Sequence, residues 1–248
     1  MIKKIVSDAF IISKITILSL REALIPFIIV SIFIPLGTSY LVSLASPNWN
    51  LTTKIDYLSG MLVLSSSLTI INGVGQYIAE DRSLGLISWY RTLPVHPISY
   101  VIGITSTYLI GILIDSALLI PIASILWNIH IDIIYIGITI IVVIIQSLSL
   151  IGLGAIIGTR SNNFQTAIAI TNLLSYVIAF ATPAYYSINA IPEEFRFLCY
   201  ILPTTEAALI IKRVYMYGKI NFSLFMVLIF MSIPYMLIGF KGIKWREK

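Results

Sequence analysis

The side chains able to do chemistry in this sequence are few, and most stand at the ends of long apolar runs. Asp115 is the one acid inside such a run, a position that makes a carboxylate a candidate for handling a proton or a substrate. Its run is longer than a bilayer, which puts Asp115 about 25 Å along the helix at 1.5 Å per residue. The expectation is therefore a site near the outer surface, within reach of water, with a structural role favoured. Asn72 and Gln76 are four residues apart, so they share a helix face and can line an aqueous path or bond a neighbouring helix. Gly154 and Gly158, preceded by Gly152, form a GxxxG pattern that lets helix backbones approach closely. No strand precedes it, so it reads as packing and not as a dinucleotide fingerprint.

Other chemistries lack their residues. A single cysteine, Cys199, forms no internal disulfide, and two histidines, His96 and His130, are too few for an ordinary zinc site, so no metal is expected. No GxxxxGK[ST] loop, HExxH or GxSxG is present. Any work driven by ATP requires another polypeptide to bind the nucleotide, and the chain itself is expected to carry no cofactor.

The elements that position these residues follow from composition. Of 248 residues, 58% are hydrophobic and 11% are charged, with a mean hydropathy of +0.96. That is an integral membrane protein, and uncharged runs of more than about twenty residues make its spans helices and not barrel strands. The fold class is all-α with six transmembrane helices, approximately Ala23 to Leu44, Tyr57 to Ala79, Ile98 to Trp127, Ile133 to Gly158, Thr166 to Ser187 and Phe222 to Phe240. Ser43-Leu44-Ala45 resembles a signal cleavage site, but the apolar run before it is too long and starts too late. Eleven basic residues fall before span one, after spans two and four and at the C-terminal end, against five in the opposite set. This split predicts cytoplasmic N and C termini. Trp49, Trp127 and Trp245 fit interfacial belts, and Pro26, Pro35, Pro121, Pro183 and Pro234 are expected to kink or interrupt their spans.

Three segments are not plain spans. Residues 1–22 are amphipathic, with Ile2, Ile5, Val6, Ala9, Phe10 and Ile12 on one side and Lys3, Lys4, Ser7, Asp8 and Lys14 on the other, which predicts a helix along the inner membrane surface that meets lipid head groups. Residues 80–97 are polar, with Glu80, Asp81 and Arg82 at the start, Arg91 near the end, and Pro94 and Pro97 as stops. They expose Leu84, Leu86, Ile87, Trp89 and Tyr90, suggesting either a docking surface or a helix resting on the bilayer. Residues 188–219, outside, hold two apolar pieces of about ten residues each, too short to span and fit for re-entrant or interfacial helices. Pro203 ends the first, and Thr204 or Thr205 is placed to cap the second.

The order Glu80-Asp81-Arg82, Gly85, Trp89, Arg91-Thr92-Leu93-Pro94-Val95 and then a third span resembles the permease subunit of ABC-2 type transporters. So does the segment Ile191-Pro192, Arg196, Leu202-Pro203-Thr204-Thr205, Ala207, Arg213 and Gly218 before the last span. The resemblance covers nearly the whole chain. It implies an exporter subunit in the plasma membrane, with a second permease copy or homologue and two ABC ATPase subunits that bind ATP and Mg. It also implies that Glu80 to Pro94, with Arg82 and Gly85 among them, form a coupling helix in which Glu80, Asp81 and Arg91 offer ion pairs to the ATPase and Leu84, Trp89 and Tyr90 fill its cleft. Pro192, Arg196, Pro203, Thr204 and Glu206 are candidates for an outer gate. The family pattern fixes no substrate-binding residue, and Asn72, Gln76 and Asp115 are pathway candidates only as polar groups within the spans. Membrane lipid is the remaining partner, and nucleic acid is not one. The competing readings are a proton-coupled secondary transporter using Asp115, a membrane-embedded enzyme, and an anchor for other proteins.

Overall fold

The structure is a computed structural model that describes residues 2–45, 50–186, 188 and 191–242. Trp49, Ser187, Lys244, Trp245, Arg246 and Lys248 lie outside the described residues, as does the side chain of Arg91. The chain is 87% helix, with no strand among the described residues.

Among the described residues, ten helices follow in order: α1 (Ile2–Ser19), α2 (Arg21–Ala45), α3 (Leu51–Ser83), α4 (Leu86–Thr92), α5 (Pro97–Trp127), α6 (Ile133–Arg160), α7 (Phe164–Ala181), α8 (Glu193–Ile201), α9 (Pro203–Tyr217) and α10 (Phe222–Gly242). Five of these, α3, α5, α6, α7 and α10, are long and apolar enough to cross a membrane. The backbone of α2 runs helical for 25 residues through Pro26 and Pro35, and its described apolar stretch is Ile32–Leu41. Pro121 and Pro234 likewise lie inside continuous helices. The fifth span is shorter than expected: α7 stops at Ala181, because Pro183 follows and has no N–H with which to continue the ladder.

Helix α3 is the hub. At 33 residues it is about 50 Å long, and 94% of its apolar window is buried, against 17% for α10. It packs on α2, α5, α6, α7 and α9, and small residues allow the approach. The Tyr108 ring lies against Gly73, and Gly154 and Gly158 of α6 meet the backbone of Ile71 and Gly75. On the far side of α6, Gly152 faces Gly239 of α10 so closely that a Cβ on either would run into the other backbone.

Helix α1 does not present its apolar residues as one face to lipid. Ala9, Ile12, Ser13 and Thr16 are buried, and Ile12 lies against Gly103 of α5. Ser13 Oγ and Thr107 Oγ1 of α5 share a hydrogen bond of 3.1 Å. Val6, Phe10, Ile11 and Leu18 stay exposed. The helix thus has a protein-facing stripe of small and polar residues beside its bulky, lipid-ready one.

Candidate functional site

Below the hub, residues 80–97 do not form one helix. Glu80 to Ser83 complete the last turn of α3, and a left-handed Gly85 (φ 74°) turns the chain into the short α4, a conformation that L side chains resist. Thr92 ends α4, and Pro97 opens α5 at its first turn, where a missing N–H costs nothing.

Three residues expected to face a partner instead turn inward. Asp81 is buried and accepts a 2.7 Å hydrogen bond from the Tyr100 hydroxyl of α5. Tyr90 is buried, its ring 5.3 Å from that of Tyr100 and 5.5 Å from that of Trp89. Burial, with the Asp81 carboxylate nearby, pushes the Tyr90 phenol up to about 12. Arg82 donates from Nη1 to the carbonyls of Thr159 and Ser161 at 2.8 and 2.9 Å, closing the C-terminal end of α6. Of the other residues expected to meet a partner, Glu80, Leu84, Gly85, Leu86, Trp89 and Pro94 are exposed, with Leu84 66% and Trp89 56% exposed. Asp81 and Arg82 tie the end of α3 to α5 and α6, and Tyr90 packs α4 on Tyr100 of α5, while the outward set forms a small apolar surface beside an acid.

Within the spans, Ser65, Thr69, Asn72 and Gln76 recur at i, i+4, i+7 and i+11 and make one stripe on α3. Asn72 Oδ1 accepts from Ser175 Oγ at 2.8 Å, and Gln76 Nε2 donates to Thr171 Oγ1 at 3.1 Å, both on α7. Thr69 Oγ1 and Ser65 Oγ donate to Asp115 Oδ2 at 3.1 and 3.4 Å. On another face, Gln146 of α6 donates to Ser66 and Ser67. Asp115 is therefore not within reach of water: it is 1% exposed and lies twelve residues before Trp127, about 18 Å along α5, packed against the hydroxyls of α3. The hydroxyl partners were missed although the stripe spacing from Asn72 back to Ser65 was readable. Which helix each would face was not.

At the end of α3 away from α4, Pro203 opens α9 and Leu202 is its N-cap, so neither threonine caps it. Thr204 instead shares a 2.5 Å hydrogen bond with Thr182, and Thr205 donates to the Cys199 carbonyl at 2.5 Å. Lys212 Nζ meets Asp56 Oδ1 of α3 at 3.0 Å and donates to the Pro183 carbonyl at 2.9 Å. One ammonium thereby ties α9 to α3 and to the end of α7. Burial lowers the Lys212 pKa, with Asp56 opposing. Glu206 is buried, its Oε2 without a partner, and burial raises its carboxyl, with Arg213 opposing. Arg196 caps its own loop through the Ile191 carbonyl at 3.0 Å and Glu193 at 3.4 Å, and Pro192 lies exposed beside it.

Among the described residues, no group of three or more His, Cys, Asp or Glu side chains is placed to hold a metal. No curated protein matches the chain. The model of the ABC-2 type transporter family matches residues 10–211, covering α2 to α8, more than half of α1 and of α9, and the inward cluster around Asp81, so this membrane-embedded, multi-pass chain belongs to the ABC-2 type transporter family, as a transport component of the membrane.

Proposed function

We propose that the chain is the permease subunit of an ABC exporter, with six spans counting α2, both termini in the cytoplasm and the plasma membrane as its site. Two separate ABC ATPase subunits bind ATP and Mg and hydrolyse the nucleotide. A second permease copy or homologue completes the pathway. The observation that carries this reading is the junction at α4. An exposed Leu84 and Trp89, with Glu80 beside them, ride on a helix locked to α3 and α5 by Tyr90, Tyr100 and Asp81.

A push on that surface moves two spans together, since packed helices shift as bodies and not residue by residue. Those two spans carry the stripe from Ser65 to Gln76 and Asp115, which lines the pathway. At the outer end α8 and α9, with Pro192, Arg196, Pro203, Thr204 and Glu206, form the gate. Affinity purification in mild detergent tests the reading: the wild-type chain retains an ATPase subunit, and Trp89→Ala combined with Leu84→Glu releases it while the helical content stays unchanged. Retention of the ATPase by the double variant, or transport by the isolated chain without nucleotide, overturns it.

A second reading, proton-coupled transport, draws on the burial of Asp115. It requires nucleotide-independent uptake in vesicles that Asp115→Asn abolishes.

A further inference from the structure

The geometry points to a binding site for one anionic, two-chain glycerophospholipid on the lipid-facing side of α5, in the leaflet nearest α4. This site is independent of what the protein exports. Two apolar grooves run along α5 there. One, about 190 Å³, lies between α5, α6 and α10, its floor closed where Gly152 of α6 and Gly239 of α10 bring their backbones into contact. The other, about 480 Å³, lies between α5 and α1, beneath Phe10 and Ile17.

Ile102 and Ser106 border both grooves. Ser106 is short, and its hydroxyl turns back to the Ile102 carbonyl at 2.5 Å, so the divider is a low saddle. Two acyl chains of one lipid fit astride it. Separate single-chain ligands would not need the grooves to be joined.

The polar groups stand where such a lipid needs them. Thr105 lines the first groove, is 7% exposed, and its Oγ1 has no hydrogen-bond partner, an unfavourable state for a buried hydroxyl. It lies twenty-two residues before Trp127, about 33 Å, close to one hydrocarbon thickness. With Trp127 at one boundary, Thr105 is at the other, the depth of lipid ester carbonyls, and an ester oxygen accepts its hydrogen bond. Lys14, exposed on the rim of the second groove, supplies the positive charge that selects an anionic headgroup.

Native mass spectrometry of the purified full chain, with dioleoylphosphatidylglycerol or dioleoylphosphatidylcholine added in detergent, tests the assignment. The expected result is one retained phosphatidylglycerol per chain, held about fivefold more tightly than phosphatidylcholine, as one interfacial lysine provides. Ser106→Trp removes retention of both lipids, and Thr105→Val weakens both. Lys14→Glu, a change at the exposed rim that leaves packing intact, abolishes the preference alone. Equal retention of the two lipids by the wild type, or phosphatidylglycerol retention unchanged by Lys14→Glu, overturns the assignment even where Ser106→Trp does not fold.

Discussion

At the residue scale, the hydrogen bond between Tyr100 and Asp81 is the smallest feature on which the α3–α4–α5 junction depends. Asp81 is buried, and the Tyr100 hydroxyl is the donor aimed at it from α5. Tyr100→Phe keeps the ring packed on Tyr90 but removes that donor, leaving a buried carboxylate to be solvated poorly. The expected cost is about 1–3 kcal/mol, read as a lowered unfolding midpoint in detergent. Asp81→Asn, which still accepts from Tyr100 and carries no charge, costs less. Equal loss for both would mean that the charge, and not the donor, matters. The identity of Asp81 as a polar residue at the exit of span two is plain in the sequence. Its partner is not, because Tyr100 lies nineteen residues away across a turn, and only the folding back of α5 on α3 brings the two together.

At the scale of elements, α9 is held over the start of α3 and the end of α7 by Lys212. The pair with Asp56 is largely shielded, with side chains 11% and 22% exposed, so its strength falls between that of exposed and fully buried pairs. Lys212→Met is expected to cost on the order of 2 kcal/mol, and adding Asp56→Asn to it restores part of that loss, since the second change removes the stranded charge. A double-mutant cycle on thermal unfolding measures this, and strict additivity of the two changes would show that the contact contributes nothing. The element itself, a short amphipathic helix after Pro203, is legible from its length and its flanking proline. Its contacts are not, since Lys212 reads as one more basic residue on the outer side, and nothing local indicates that it points inward to Asp56 and the Pro183 carbonyl.

At the scale of the whole molecule, the order of spans and the side on which each loop falls set every functional reading. In a Cys199→Ser background, a cysteine placed at Ser83 is expected to react with an impermeant thiol reagent from the cytoplasm only, and one at His130 from outside only. Both positions are exposed, so labelling of both from one side would refute the topology. The sequence by itself determined that the chain is helical, that several of its helices are long and apolar enough to cross a membrane, and which loops carry the basic residues. These are properties of composition along a line, set by the thickness of the hydrocarbon and by the cost of placing charge in it. Only the tertiary structure decided that α3 is the hub, that Asp115 lies deep against Ser65 and Thr69, and that Asp81 and Tyr90 face inward while Trp89 faces out. The reason is physical: with lipid and protein equally apolar, hydropathy cannot say which face of a span meets a neighbour. That choice falls to close glycine contacts and to polar side chains whose partners lie tens of residues away.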